Sequence, residues 1–292
     1  MENATAKVSC FARAYHYRHN SVRVFADDAA EKLLWADYDQ IARSMAQGIG
    51  FFMPGFHGDA AEGLRLIVDR QLSPSVLGRS AYREKMLANE ARLGCRQYVL
   101  LAAGFDTFAT RHRDTPLAVF ELDLPEMLAD KRARLTRAGL ESCAIDVPCD
   151  LSDASWRDKL LAHGFKPDVK SFGGLLGISY YLDRGEFTAL LTALGEIMPE
   201  GSAICFDYPS TDDGQDARTN RALARGAGEQ MKARYAHAEL EALLAECGFL
   251  IYEHLGPDEM TEQYFADHNR ADPARRMESP KGVGYVLAVR KP

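Results

Sequence analysis

The sequence lacks the short motifs by which many metalloenzymes, hydrolases and nucleotide triphosphate-binding enzymes are recognised. It contains no HExxH segment, no Cys/His metal spacing, no GxSxG elbow and no Walker A loop. Its six cysteines form no CxxC pair, which favours buried thiols in a reducing compartment, and we therefore expect a cytoplasmic location. The sequence gives no reason to expect a metal ion.

Long apolar runs and a basic net charge are absent as well. Met1–Asn20 has no apolar core of a signal peptide, and no stretch approaches the roughly 18 apolar residues of a membrane-spanning helix. The net charge of −7 argues against a nucleic-acid partner, because such partners usually require a basic face. Hydrophobic residues make up 47% of the 292 positions, as in ordinary globular proteins. We therefore expect a small-molecule partner.

The two parts of the chain differ in pattern. We assign residues 1–93 to a helical cap or lid region and residues 94–292 to a Rossmann-like domain, in which strands and helices alternate. This alternation predicts an α/β fold with a doubly wound, seven-stranded and mostly parallel sheet. The expected strands are 97–102, 118–122, 143–147, 171–178, 202–208, 248–255 and 284–290, and the expected helices are 125–138, 152–162, 184–197, 216–232 and 237–246.

Two segments interrupt this pattern. Gly50–Phe56 is rich in aromatic residues and is bounded by glycine and proline, so it predicts a loop. The aromatic residues of this loop and of Phe11–Tyr17 either pack the helical region onto the sheet or form a lid over a ligand. Pro257–Pro280 is polar and predicts an irregular segment. Because no helix of ordinary length separates the last two strands, we expect the final strand to be antiparallel.

The first two strands of the predicted sheet end in polar elbows. The first elbow carries Gly104 and Asp106, and the second carries Glu121 and Asp123. A glycine lets the backbone approach a ligand, and an acidic residue at the end of the next strand accepts hydrogen bonds from ribose hydroxyls. Although a lone glycine also fits an ordinary turn, the pair predicts an adenosine-bearing small molecule at this edge of the sheet.

The third and fourth strands are each followed by residues with two interpretations. Asp150 and Leu151 suit contacts with an adenine ring, or Asp150 begins a helix as its N-cap. Gly177, Tyr180 and Tyr181 lie where such a fold has its reacting centre, and the alternative is that the tyrosines pack the core.

Arg79 lies on the helix that precedes the first strand. An exposed helical arginine is usually a solvated charge. Because this helix leads directly into the strand that builds the site, Arg79 is also a candidate for binding a carboxylate.

Four segments together resemble the leucine carboxyl methyltransferase family of class I S-adenosylmethionine-dependent enzymes, which includes bacterial polyketide O-methyltransferases. The resemblance covers about residues 20–290. The segments are Arg79–Glu84, Leu101–Thr107, Phe120–Pro125 followed by Lys131, and Asp150–Leu151.

The resemblance implies a role for each matching residue. Arg79 would bind the methionine carboxylate, Asp123 the ribose hydroxyls, and Asp150 with Leu151 the adenine. The remaining donor contacts would come from Ala102, Gly104 and Gly177, and the catalytic candidates are Tyr180 and Tyr181.

Two positions depart from the family pattern. The family often has glycine where this chain has Ala102, and it often has glutamate where this chain has Leu176. With Ala102 in place of glycine, the backbone has less room to approach the donor. With Leu176 in place of glutamate, a polar contact near the donor's amino-acid end is lost.

The resemblance leaves three functions open. The first is methyl transfer to a small carboxylate or hydroxyl acceptor in secondary metabolism. The second is cyclisation of S-adenosylmethionine to azetidine-2-carboxylate and methylthioadenosine, for which an aromatic pocket and the missing glutamate are suited. The third is a non-catalytic protein that binds S-adenosylmethionine.

Overall fold

The computed structural model describes residues 3–211 and 232–292. The helix expected over 216–232 falls outside these residues, apart from Lys232. No helix within the described residues is long and apolar enough to cross a membrane.

The chain begins with a helical region, and up to residue 92 the described residues form no strand. Its helices are α1 (Ala4–His19), α2 (Ala30–Leu34), α3 (Ala36–Gln47), α4 (Ile49–Phe52), α5 (Ala60–Ile67) and α6 (Ser73–Arg92), with a π-helical turn at Val68–Leu72 between the last two. Local sequence explains two of the helix starts. Asp59 caps α5 by accepting a hydrogen bond from the Glu62 amide, and Pro74 lies in the first turn of α6, where a missing N–H is harmless.

The rest of the chain builds one seven-stranded sheet of order β3-β2-β1-β4-β5-β7-β6. Its strands are β1 (Gln97–Leu101), β2 (Ala118–Asp123), β3 (Ile145–Pro148), β4 (Ser171–Leu175), β5 (Ala203–Pro209), β6 (Phe249–Leu255) and β7 (Val283–Arg290). Strand β7 is antiparallel to β5 and β6, while the other pairs are parallel. The predicted fold class and the antiparallel final strand are therefore confirmed.

Helices follow most strands. They are α7 (Phe108–Arg111), α8 (Pro125–Ala138), α9 (Trp156–Ala162), α10 (Arg184–Ile197), α11 (His237–Glu246), α12 (Pro257–Met260) and α13 (Ala266–Ala271). Helices α8, α10 and α11 have the predicted bounds. Helix α9 begins later than the predicted residue 152, because Asp150 and Asp153 each accept a hydrogen bond from the amide two residues further on and fold this stretch into turns.

Two expectations about irregular segments were wrong. The expected loop at Gly50–Phe56 overlaps α4. The segment Pro257–Pro280 is mostly helical, because it contains α12, α13, a π-helical turn at Thr261–Phe265 and a 3-10 turn at Pro273–Arg275. The few apolar side chains of Pro257–Pro280 explain why this polar segment is ordered, because they pack into the core. Met260 and Phe265 are fully buried, and the Phe265 ring lies so close to Gly78 of α6 that a Cβ there would be 3.2 Å away.

The sheet is buried on both faces. Along β1, Val99 and Leu101 belong to one apolar cluster, whereas Tyr98 and Leu100 belong to the cluster on the opposite face. This is the burial expected of a parallel strand covered by helices on both sides. Because β1, β2, β3, β4 and β5 run in one direction, their carboxyl ends meet at one edge, where the predicted site lies.

Candidate functional site

Two adjoining cavities, of about 880 and about 490 Å³, lie at the carboxyl ends of the parallel strands. They share Ala102, Asp123, Leu124, Ile178 and Tyr181, so they form one cleft. The larger cavity extends towards α9 and α10, and the smaller one runs beneath α1 and α6. Such crevices at strand ends are where doubly wound folds bind their ligands.

Asp123 lies between the two cavities at the end of β2. Its Oδ2 accepts a hydrogen bond from the Gly104 amide at 2.7 Å, and its Oδ1 accepts one from the Leu124 amide at 2.8 Å. Burial raises the pKa of this carboxyl, and the two amides partly oppose that rise. Because a carboxylate oxygen has more than one lone pair, Asp123 retains capacity to accept hydrogen bonds from the cleft.

Two residues of the first elbow have left-handed backbone conformations. Gly104 has a φ of 50°, which glycine adopts at little cost, whereas Ala102 has a φ of 52°. Both line the smaller cavity. At Ala102 the chain therefore holds a strained conformation in the cleft wall, at the position where the family often has glycine.

Asp150 and Leu151 line the larger cavity. Asp150 Oδ1 accepts hydrogen bonds from the amide and hydroxyl of Ser152 at 2.8 and 2.7 Å, and these bonds lower the pKa of the Asp150 carboxyl. The alternative that Asp150 begins a helix as its N-cap is wrong, because α9 begins only at Trp156 and Asp150 instead closes a local turn onto Ser152. The turn keeps Asp150 at the cavity wall, and its contact with adenine stays a prediction.

Arg79 and Gly177 meet in the smaller cavity. Arg79 Nη1 lies 3.4 Å from Asp207 Oδ2, and Nη2 lies 3.4 Å from Ser9 Oγ, so both contacts are long for hydrogen bonds. The guanidinium lies against the Gly177 backbone, where a Cβ would come within 2.8 Å of Nη1. Gly177 also has a φ of 72°, so its backbone conformation favours glycine, and a Cβ there would displace the Arg79 guanidinium.

The structure separates the two candidate tyrosines. Tyr181 lines both cavities. Tyr180 lines neither, because its ring is buried and its hydroxyl donates a hydrogen bond to Asp207 Oδ2 at 2.9 Å. Burial, followed by the neighbouring Asp207 carboxylate, raises the pKa of Tyr180 well above its usual value. Tyr181 therefore lies at the cleft and Tyr180 behind its wall.

The other two acids of the elbows are engaged in ion pairs. Arg83 Nη1 lies 2.6 Å from Asp106 Oδ2. Burial opposes ionisation of Asp106, but Arg83 and other nearby cations outweigh it and lower the pKa of Asp106. Glu121 is fully buried and accepts from Lys131 Nζ at 2.6 Å, so it supports the sheet rather than facing the cleft.

Sequence reasoning considered Phe11–Tyr17 of α1 as part of a lid but missed two polar residues of this helix that line the cleft. Ser9 and Arg13, one helical turn apart, both line the smaller cavity. Arg13 is anchored by Asp27 Oδ2 at 2.8 Å and by the Phe105 carbonyl at 2.6 Å. The four-residue spacing of the two polar side chains was a usable signal, because it puts both on one face of a helix.

The aromatic residues considered as a lid do not line the cleft, although those of Phe11–Tyr17 lie in α1. Phe51 and Phe52 pack edge to face with ring centres 5.5 Å apart, and neither lines the cleft. Phe51 is 69% exposed. The element that covers the smaller cavity is therefore α1.

The cleft offers groups that suit an organic ligand with hydroxyl groups and a carboxylate. Asp123 offers acceptors beside the backbone at Gly104, and Arg79 offers a cation in the wall of the smaller cavity. Within the described residues, no group of three histidine, cysteine or acidic side chains is placed to hold a metal ion. The strand order, with one antiparallel strand, and this cleft define the class I methyltransferase fold.

Comparison with known families gives a narrower assignment. The model of the leucine carboxyl methyltransferase family matches residues 6–195, so the chain belongs to this family of S-adenosylmethionine-dependent methyltransferases. It is 38% identical to the putative S-adenosyl-L-methionine-dependent methyltransferase YktD of Bacillus subtilis, over 98% of this chain and 97% of that protein. A similarly described Frankia alni protein, FRAAL3836, is 39% identical over 44% of this chain and 47% of its own length.

Solved structures share the fold at low identity. A DUF574 family protein from Streptomyces avermitilis superposes with a TM-score of 0.63 and 14% identity, covering 99% of this chain and 97% of that one. A putative methyltransferase from Thermobifida fusca superposes with a TM-score of 0.56 and 15% identity, covering 98% and 94%. At these identities the similarity establishes the fold alone.

Proposed function

We propose that the protein transfers the methyl group of S-adenosylmethionine to the carboxylate of a small molecule in secondary metabolism. The observation that carries this proposal is the placement of Asp123 and Arg79 in one continuous cleft. Both residues line the smaller cavity, as the binding of a ligand with a ribose and a terminal carboxylate would require. The absence of paired cysteines among the described residues supports a reducing, cytoplasmic setting.

In this proposal each predicted residue contacts a different part of the donor. Asp123 accepts hydrogen bonds from the ribose hydroxyls while Gly104 gives the backbone close access. Asp150 and Leu151 contact the adenine in the larger cavity. Arg79 binds the carboxylate, and its planar guanidinium suits two parallel hydrogen bonds. Ala102 and Gly177 complete the wall.

The chemistry proposed for the cleft needs little from the protein beyond alignment. The donor's sulfonium supplies an electrophilic methyl carbon. The protein's task is to hold an acceptor oxygen in line with it and to exclude water, which α1 is placed to do over the smaller cavity. Tyr181, at the junction of the two cavities, is the candidate to face the reacting centre.

A carboxylate acceptor fits the side chains of the cleft better than a hydroxyl does. A hydroxyl acceptor needs a base to remove its proton, whereas a carboxylate is already an anion. Among the described residues that line the two cavities, none is a histidine. Tyr180 is a poor base candidate, because its hydroxyl is buried and bound to Asp207.

One observation favours the alternative of cyclisation. Leu176 lines the smaller cavity at the position where the family often has a glutamate. An apolar wall near the amino-acid end of the donor leaves the methionyl amine without that acidic partner. The amine is then freer to attack the γ-carbon, which would release methylthioadenosine and form azetidine-2-carboxylate.

Product analysis distinguishes these functions. The protein is incubated with trideuteromethyl-labelled S-adenosylmethionine alone, with a panel of small carboxylic acids and with cell extract, and the products are analysed by mass spectrometry. We expect S-adenosylhomocysteine and a labelled ester only when an acceptor is present. Methylthioadenosine formed without an acceptor would show that the protein cyclises S-adenosylmethionine instead of transferring its methyl group. If the donor binds but reacts neither with the acid panel nor with cell extract, the protein is a non-catalytic protein that binds S-adenosylmethionine.

A further inference from the structure

Asp207, at the end of β5, is a buried carboxylate beside the cleft that the proposed donor contacts do not include. Its side chain has no exposed surface. Oδ1 accepts a hydrogen bond from the Gly177 amide at 2.7 Å, and Oδ2 accepts one from the Tyr180 hydroxyl at 2.9 Å. The third neighbour is Arg79, whose Nη1 lies 3.4 Å from Oδ2. A buried charge with such a set of donors requires an explanation, because desolvating a carboxylate is costly.

The backbone of Asp207 holds the same turn as its side chain. Its carbonyl oxygen accepts a hydrogen bond from Ser179 Oγ at 2.6 Å. Gly177, Ser179 and Tyr180 are thus all attached to one residue of the neighbouring strand. This attachment fixes the turn that leads to Tyr181 in the cleft.

Arg79 is confined by three groups. Asp207 lies on one side of the guanidinium, Ser9 of α1 lies on another, and the Gly177 backbone lies against its surface. Arg79 is part of the wall of the smaller cavity, with 17% of its side chain exposed. A guanidinium carries five N–H donors, so these neighbours leave donors available for a ligand.

We propose that Asp207 is a positioning residue, which orients Arg79 towards the donor's carboxylate and thereby makes the cleft selective for donors that carry one. This inference rests on the proposed function. The long 3.4 Å contact suits the role, because Asp207 orients the guanidinium while a ligand carboxylate can still compete for it.

Substitution by asparagine isolates this effect. An asparagine retains one oxygen that can accept from the Gly177 amide. Its NH2 group would then face the Tyr180 hydroxyl and Arg79. The hydroxyl can turn and accept a hydrogen bond from the NH2 group, whereas the guanidinium has no acceptor. Asp207→Asn therefore keeps the size of the side chain while it removes the group that orients Arg79.

The test compares two ligands that differ only in the carboxylate. S-adenosylmethionine and decarboxylated S-adenosylmethionine are titrated calorimetrically into the parent protein, Asp207→Asn and Asp207→Glu. Asp267→Asn serves as the matched control, since Asp267 is 86% exposed and pairs only with its neighbour Arg270 among the described residues. Asp207→Glu keeps the charge but displaces it by one methylene. This variant is compared with the parent instead if the asparagine variant does not fold.

We expect Asp207→Asn to bind S-adenosylmethionine about tenfold more weakly than the parent, the scale of one charge-assisted hydrogen bond. Its affinity for the decarboxylated ligand should change much less, and Asp267→Asn should behave like the parent. Equal weakening of both ligands, or unchanged affinity for both in a folded variant, would show that Asp207 only supports the turn and would overturn the inference. Failure of the parent protein to bind S-adenosylmethionine would instead contradict the proposed function.

Discussion

Backbone conformation at single residues shapes this cleft as much as side-chain chemistry does. Ala102 holds a left-handed conformation with a φ of 52°, and this costs a residue with a Cβ about 1–2 kcal/mol. The strain lies in the wall shared by both cavities. The strained residue lies next to Asp123 and Gly104. We therefore infer that ligand contacts, rather than stability, determine the backbone conformation of this elbow.

Replacement of Ala102 by glycine should therefore stabilise the protein. We expect Ala102→Gly to raise the free energy of unfolding by about 1 kcal/mol, because the strain disappears and glycine's extra freedom in the unfolded chain offsets only part of the gain. The measurement is urea unfolding followed by circular dichroism. Ala133→Gly, at an exposed position within α8, is the control and should destabilise by about 0.5–1 kcal/mol. Destabilisation of similar size at both positions would mean that Ala102 is not strained in solution.

Asp123 should carry a large share of donor affinity. We expect Asp123→Ala to weaken S-adenosylmethionine binding by about 1–3 kcal/mol, the range for losing hydrogen bonds to a charged group. Calorimetric titration of the folded variant measures this change. Asp153→Ala is a suitable control, because Asp153 also accepts a hydrogen bond from a nearby amide but is exposed and does not line the cleft. Parent-like affinity in Asp123→Ala would remove Asp123 from the donor site.

Among the elements, α1 has the most direct effect on the cleft, and a buried histidine attaches it to the rest of the protein. His16 has no exposed surface, and its Nε2 accepts a hydrogen bond from the Val24 amide at 2.9 Å. Burial, together with the nearby His268, Arg275 and Arg23, lowers the pKa of His16 to about 3. The folded protein therefore keeps this ring neutral at pH values where an unfolded chain protonates it.

The sign of the resulting pH dependence follows from linkage. An unfolded histidine binds its proton near its ordinary pKa of about 6.5, while the folded protein resists protonation down to about 3. The stability associated with His16 is thus complete above about pH 6.5 and is lost progressively as the pH falls towards 3. From about pH 7 to about pH 5 the parent should lose about 2 kcal/mol more than His16→Gln. Parallel stability curves for the two proteins, from urea unfolding at each pH, would show that His16 is solvated.

The sequence predicted the elements of the sheet well, for a physical reason. Parallel strands covered on both faces appear as short apolar runs, and all seven were found with small errors in their bounds. Strand β4 was expected to reach residue 178 but ends at Leu175. The chain turns there because Gly177 adopts a positive φ and its amide is held by Asp207, a contact across 30 positions that local sequence does not reveal.

The site was predictable where it depends on neighbouring strand ends and not where it depends on distant pairs. Gly104 and Asp123 follow adjacent strands, and the structure brings them into contact. Arg79 and Asp207 lie 128 positions apart, and nothing near Asp207 in the sequence marks it as part of the cleft. The burial of Tyr180 was equally hidden, because two consecutive tyrosines at a turn look alike until their surroundings are known.

At the scale of the whole molecule, the fold joins the sheet edge that forms the cleft to a helical region that covers part of it. The C-terminal ends of β1, β2 and β3 contribute Gly104, Asp123 and Asp150, while α1 and α6 contribute Ser9 and Arg79. The cleft therefore requires residues from both regions of the chain. Family membership assigns the chain to the S-adenosylmethionine-dependent methyltransferases, and its fold is the one that this class uses.

A crystal structure with S-adenosylmethionine bound tests the central claim most directly. We expect the ribose hydroxyls on Asp123, the adenine beside Asp150 and Leu151, and the carboxylate on Arg79, with the sulfonium near Tyr181. Donor density with its carboxylate away from Arg79, or density outside the cleft that contains Asp123, would contradict this account.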